Sequence, residues 1–204
     1  MLLENVTVLD LSRVLSGPFA TQQLVDLGAK IIKVENPKQG DDTRRFGPPF
    51  IEGESTYFMS VNRGKKSLAV DLKSSEGREI VLNLAKHCDV VIENFRPGTA
   101  QRFGLGPEDF HQANPKIITC SISGYGSGGD PAFEGRAGYD AIIQGASGVM
   151  SLTGRQDGPA TKVGVAVSDM VAGLYATQGI LAALYKRAIE GISSEPSHIE
   201  ISMQ

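Results

Sequence analysis

Asp169 stands where chemistry is easiest to build. Residues 163–167 form a short apolar run of strand-like character, and the apolar segment after them has the length of a long helix. A carboxylate at such a junction meets the positive end of the helix dipole and unpaired backbone N–H groups. Its sequence neighbours are mostly apolar. That combination suits a held, partly desolvated nucleophile. The competing role is a cap, because Ser168 or Asp169 alone would close the helix N-terminus. Local sequence leaves both roles open.

Other chemistries find less support. Gly124, Gly126 and Gly129 spell GxGxxG after an expected strand. Asp130 and Pro131 follow at once, so no helix opens there to receive a pyrophosphate, and no acidic residue about 20 positions on would hold a ribose. The first strand–helix turn, where that motif belongs, has only Gly17 before Pro18. These glycines suit a loop bordering a site better than a dinucleotide cradle. The chain has no Walker A sequence, no GxSxG elbow and no Ser/His/Asp set suggested by spacing. His87, His111 and His198 are isolated, without metal-ligand spacing, so no metal is expected. What remains is carboxylate chemistry, with an Asp attacking an activated acyl group.

Composition narrows the class. A length of 204 residues suits one domain with a substantial core. A net charge of −3 argues against a nucleic-acid footprint. Basic residues do gather at Arg44–Arg45 and at Arg63, Lys65 and Lys66, either as solvated loop charges or as contacts for an anionic small molecule. Cys88 and Cys120 make no CxxC pair, and Cys120 sits in an apolar run as a small hydrophobe. That cysteine usage fits a reducing, cytoplasmic setting. The first residues lack the charged and apolar regions of a signal peptide. The most apolar stretch, residues 170–185, is interrupted by Thr177 and Gln178 and is shorter than the ~20 residues of a span, so no membrane association is expected.

The elements that must carry Asp169 alternate along the chain. Strands are expected at 6–10, 30–35, 67–71, 89–93 and 117–122, with helices at 19–27 and 75–87 and two short pieces within 94–113 punctuated by Gly106 and Pro107. In the second helix Ile80, Val81 and Leu84 mark the apolar face. Residues 36–54, rich in Pro, Gly and charge, form a long irregular loop. Another helix starts near Tyr139, and a strand-like 198–202 follows the Asp169 helix. This alternation predicts an α/β fold, a Rossmann-like, mostly parallel sheet with helices on both faces. Residues 1–192 form the α/β domain, and 193–204 a linker and the start of an incomplete strand.

Several blocks in order carry a resemblance: VLDLSRVLSGP (8–18), LGAKIIKVE (27–35), GDDTR (40–44), NRGKKS (62–67), ENFRPG (93–98) and GYD (138–140). They resemble the successive blocks of the family III CoA-transferases, the group of formyl-CoA transferase, carnitine CoA-transferase and α-methylacyl-CoA racemase. Within it the wording is most similar to the dicarboxylate branch of succinate–hydroxymethylglutarate type. The resemblance implies roles. Asp169 falls at the family's catalytic aspartate, which forms a mixed anhydride and then an aspartyl-CoA thioester. Tyr139 falls at a site-lining position. The racemase branch has a proton-transferring His beside this motif's Asp; here GYD has none, which favours transfer.

The same resemblance matches Asn94, Phe95 and Arg102 to positions contacting CoA and Leu72 to one near the adenine, and puts Leu15 and Ser16 in the segment lining the thioester. Transferases such as formyl-CoA transferase carry a Gln at about Leu15, so no side-chain amide is available here. Phe95 and Leu72 also suit core positions, and Arg102 a solvated helix face. Coenzyme A and its acyl thioesters enter as substrates with a carboxylate acceptor; no permanently bound cofactor is implied. Family members are about twice this length and form interlocked dimers, so the resemblance implies a chain truncated before the family's second domain. Val171, Leu174, Leu181, Leu184, Ile199 and Ile201 would then form an uncovered apolar surface that drives homo-oligomerisation.

Overall fold

The computed structural model describes residues 1–127, 131–133, 135–191 and 197–204. Six strands, β1 (Thr7–Asp10), β2 (Lys30–Glu35), β5 (Lys66–Ala69), β6 (Val90–Glu93), β7 (Ile118–Ser123) and β8 (Ser197–Ser202), form one sheet in the order β5-β2-β1-β6-β7-β8. Every pairing in it is parallel. Parallel strands are buried on both faces, and β6 shows it with Val90, Val91 and Ile92 at most 2% exposed. From β1 the chain winds outward through β2 to β5, then returns to place β6 on the other side of β1. The sheet therefore has a topological switch between β1 and β6, where α/β proteins open a crevice at the strands' carboxyl ends.

Helices cover both faces, as the alternation predicted. On one face α1 (Ser16–Asp26) and α7 (Val167–Glu190) pack Ala20, Leu24, Ala172, Ala176 and Ile180 against Val8, Ile92 and Ile118. On the other, α3 (Ser75–Ala85) and α5 (Pro107–Ala113) bring Val81, Ala85 and Phe110 against Leu9, Val34 and Val91. Ile80, assigned to the apolar face of α3, is exposed, and Val81 alone of the three is fully buried. Cys88 and Cys120 are buried free thiols, and burial pushes them up to about 11 and about 12.

Three segments differ from their sequence reading. The long loop at 36–54 contains a 3-10 turn and a small hairpin of β3 (Phe50–Ile51) and β4 (Glu54–Ser55). Directly after it comes α2 (Thr56–Asn62), started by the Ser55 side chain accepting from Phe58 N at 3.2 Å. It has too few residues to show an amphipathic period. Residues 163–166 form no strand, because the buried Gln144 side chain takes their backbone: Val163 N donates to its Oε1 at 2.7 Å, and its Nε2 donates to Val165 O at 3.3 Å.

The apolar stretch at 170–185 lies inside a longer element. With 24 residues, α7 is long and apolar enough to cross a membrane by length and composition, contrary to the sequence reading. Here its inner face packs on α1, and Thr177, which interrupts the apolar run, donates to Gly173 O (2.9 Å) and Ala20 O (3.3 Å). Val171, Leu174 and Tyr175 lie on its exposed side. Leu181, Leu184, Ile199 and Ile201 pack against the core instead of joining that surface.

Candidate active site

The turn from β1 into α1 and the turn after β6 meet at the switch point, locked by one amide. Arg13 N donates to Asn94 Oδ1 at 2.8 Å, and Asn94 Nδ2 donates to Arg13 O at 2.7 Å and to Ser16 Oγ at 3.2 Å. Ser16 is the first residue of α1 and is buried. Ser16 and Asp169 line the same cleft, and the Ser16 hydroxyl and backbone N–H lie close enough to the Asp169 carboxylate to favour its charged form. α1 can come this close because α7 has Gly173 one turn beyond Asp169; a Cβ there would lie 2.7 Å from Ser16 O. Asn94, Ser16 and Asp169 thus come together from the turn after β6, α1 and α7 to line one cleft.

Asp169 is the third residue of α7, not its cap. The cap position is Ala166, which offers no side chain for the purpose. The acceptor comes from elsewhere: Asp140, the first residue of α6 (Asp140–Ala146), accepts from Ser168 N at 2.8 Å and Asp169 N at 3.4 Å, and its other oxygen accepts from Gln144 Nε2 at 2.6 Å. With the capping done by Asp140, the Asp169 carboxylate is left for other work. Burial, and next the Asp140 charge, push it up to about 6, against the lowering effect of the two Ser16 donors.

These groups open onto a cleft of about 450 Å³ at the carboxyl ends of β1, β6 and β7. Asp169, Tyr139, Ser16, Asn94 and Phe95 all line it, so five residues singled out in the sequence converge. Leu15 does not: it is buried beside the cleft at the start of α1 and contributes no lining. Leu72 lines a second cavity of about 150 Å³ with Val34, Val70 and Phe103, and Phe95 and Arg13 belong to both. Arg102 lies in neither. It is the exposed last residue of α4 (Thr99–Arg102), and its guanidinium donates to Thr99 Oγ1 at 2.8 Å.

The cations also differ from the reading. Much of the two basic clusters is matched within the chain: Arg44 grips Glu35 at 2.7 and 2.8 Å and stacks 3.8 Å over Phe58, Arg63 pairs with Asp26 and Lys65 with Asp10, while Arg45 and Lys66 stay exposed. The cleft takes its positive charge from Arg96 and Arg136; Arg13 also lines it but is paired with Asp42. Arg96 lay within the quoted ENFRPG block, which was the signal available for it. Tyr57 on α2 went unnoticed as well. Burial and the charges of Asp169, Asp140 and Asp41 raise its phenol, which places it near the acidic end of the site. Gly124 borders the cleft and Gly126 has a φ of +74°, as a site-bordering loop requires; Gly129 and Asp130 lie outside the described residues. Among the described residues no three His, Cys, Asp or Glu groups gather as metal ligands.

The electrostatics carry a prediction. Asp140→Asn keeps an acceptor for the Ser168 amide but removes the charge beside Asp169. A titration of the Asp169 carboxyl by NMR is expected to show its pKa fall below about 6 while staying above the ordinary 3.8, because burial, the larger cause, remains. An unchanged titration would remove Asp140 from the electrostatics of the site. Asp140→Ala, which also deletes the cap, is expected to cost about 1 kcal/mol of stability.

The family model described as CoA-transferase family III matches residues 3–203. The chain is 54% identical over 185 residues to the succinyl-CoA:glutarate CoA-transferase of Mus musculus, covering 91% of this chain and 42% of that protein. It is 46% identical to the succinate–glutarate CoA-transferase of Agrobacterium fabrum, covering 98% and 50%. The crystal structure of a CaiB/BaiF family protein from Brucella suis superposes with a TM-score of 0.91 at 46% identity, covering 98% of this chain and 52% of that one. The chain therefore spans about half the length of the relatives it matches.

Proposed function

This chain belongs to CoA-transferase family III, and we propose that it moves coenzyme A between carboxylic acids through a covalent intermediate on Asp169. The observation that carries the reading is the state of that carboxylate. Beside Ser16 where two helix N-termini meet and raised to about 6, it is mostly ionised at neutral pH yet more basic, and so more nucleophilic, than a solvated Asp. It lines a cleft with three arginines, which suits a ligand with anionic groups.

The chemistry balances without a proton donor. An Asp169 oxygen attacks the acyl-CoA carbonyl, the C–S bond breaks, and a mixed anhydride forms with release of CoA thiolate. The thiolate attacks the aspartyl carbonyl of the anhydride, freeing the donor acid as its carboxylate and leaving an aspartyl-CoA thioester. An acceptor carboxylate then attacks this thioester and repeats the sequence in reverse, restoring Asp169. Negative charge builds on a carbonyl oxygen in each step, and the electropositive N-termini of α1 and α7 face that position. The named relatives point to dicarboxylates, succinyl-CoA as donor and glutarate as acceptor.

Intact-mass spectrometry after incubation with succinyl-CoA tests the reading. An adduct on the chain, mapped to Asp169 by peptide fragmentation, supports it. Retained CoA affinity with no adduct would replace it by a CoA-binding module without chemistry of its own.

The arginines give a second test. Arg96→Ala and Arg136→Ala are each expected to weaken CoA binding roughly 3–10-fold and to flatten its salt dependence, since both side chains are exposed and screened. Arg102→Ala, outside the cleft, is expected to change neither. Calorimetry at two salt concentrations checks all three, and an Arg102 effect equal to the others would move the phosphate site out of the cleft.

A further inference from the structure

Behind the cleft lies a group of charges that the transfer chemistry does not use. Lys33 and Asp41 pair at 2.9 Å with side chains 2% and 1% exposed, and Lys65 and Asp10 pair at 3.3 Å with side chains 2% and 0% exposed. Burying ions is costly, and such pairs are weak evidence for stability alone. Their hydrogen bonds converge on one short segment. Lys33 Nζ donates to Ser12 O at 2.8 Å, Ser12 N donates to Asp10 at 2.9 Å, and Val14 N lies 3.3 Å from both Asp41 oxygens. Asn94 holds Arg13 between them. Every residue from Ser12 to Val14 thus has its backbone gripped by a side chain from outside the turn or from its entering strand.

The grip holds a conformation that the turn resists. Val14 has a φ of +67°, which a β-branched residue rarely adopts. Gly17 fits against Ser12 only without a side chain, since a Cβ would lie 2.2 Å from Ser12 Cβ. Strain of this kind persists where the surroundings over-determine it, and it clusters at functional sites. Two residues beyond Val14 comes Ser16, which starts α1, packs against α7 beside Gly173 and lines the cleft with Asp169, its N–H and hydroxyl favouring the charged carboxylate.

We propose that Lys33 and Asp41 are positioning residues for the reaction, a buried ion pair that clamps the Ser12–Val14 turn in its strained form and so aims the Ser16 donors at Asp169. The proposal rests on the transferase reading for its purpose, but its geometry is testable without substrate. The readout is the titration of the Asp169 carboxyl by carbon-13 NMR in the full chain. Ser16→Ala sets the reference: losing a donor to the carboxylate raises that pKa by about one unit. Lys33→Met and Asp41→Asn are each expected to raise it as Ser16→Ala does. A simple change in nearby charge predicts otherwise, because removing a cation raises the value and removing an anion lowers it. Lys33→Met added to Ser16→Ala is expected to bring little further rise, since both act through the same donors.

A folded Lys33→Met or Asp41→Asn chain with an unmoved Asp169 titration would overturn the proposal. So would shifts of opposite sign in the two variants, or full additivity with Ser16→Ala. Failure of both variants to fold would make the pair a requirement of folding and overturn it equally. An adduct test that fails while the titrations couple sinks the transferase reading and keeps the clamp; the reverse result keeps the reaction and discards the clamp.

Discussion

Asp169→Asn is expected to abolish CoA transfer, with turnover falling by about 10⁴-fold or more, and at the same time to make the folded chain more stable at pH 8. The amide is nearly isosteric, so the packing of α7 on α1 stays. It is a very poor nucleophile, and no other carboxylate takes over: Asp140 is committed to the Ser168 and Asp169 amides and to Gln144. The stability gain follows from the pKa. The group sits near 3.8 unperturbed and at about 6 when folded, so the folded state holds its proton more tightly than the unfolded chain. Its contribution is fully present below about pH 4 and is lost as pH rises through 6; above that the ionised group is a burden. A shift of roughly two units corresponds to at most about 3 kcal/mol. The Asn side chain is neutral at every pH, so the variant is expected to melt several degrees higher at pH 8, with the gap closing towards pH 4. Melting curves at both pH values, beside a transfer assay, check this. Transfer at the unsubstituted rate in the variant would end the mechanism, and equal melting temperatures at pH 8 would mean that the carboxylate is not desolvated.

Much of this site could be read from residue order because one class of signal is local. The strand at 30–35 and the helix from Ser75 came from apolar patterning, and the structure adds a cap of the same local kind, Ser74 accepting from Gly77 N. Asp169, Tyr139, Ser16, Asn94 and Phe95 came from ordered motifs, and the sheet's switch point brought them together. What stayed hidden depends on partners distant in sequence. Asp140 caps a helix that begins 27 residues later, which no local rule detects, so Ser168 and Asp169 were the only candidate caps the sequence offered. Arg44 and Lys65 were legible as positive charge but not as charge already matched by Glu35 and Asp10. Leu15 and Arg102 were singled out by motif position yet do not line the cleft, one being buried and the other exposed, since a position in a motif carries no side-chain direction. Val14 gives no sign in the sequence of its left-handed backbone.

Gly138→Ala is expected to damage both fold and site, although it adds one methyl group. Gly124 directly follows β7, and Gly138 precedes Tyr139 and Asp140. The two backbones touch: a Cβ on Gly138 would lie 2.2 Å from Gly124 Cα, and one on Gly124 would lie 2.4 Å from Gly138 Cα. No flexible side chain can yield there, so the segments must separate. Overpacking against an unyielding neighbour costs about 1–3 kcal/mol or more. The displacement passes to Asp140, whose oxygen meets the start of α7 at 2.8 Å, and from there to Asp169. Transfer is expected to fall by about 100-fold, as misplacement of catalytic groups by about 1 Å does. This also accounts for the glycine pattern that imitates a dinucleotide motif: Gly124 is needed for contact with another loop, not for a pyrophosphate. Gly124→Ala is expected to cost about as much as Gly138→Ala, and the double variant less than the sum, because the first methyl already parts the two backbones. Thermal melts and transfer rates of the three chains decide it. Additive losses, or a Gly138→Ala chain with unchanged melting and rate, would show that the contact places nothing in the site.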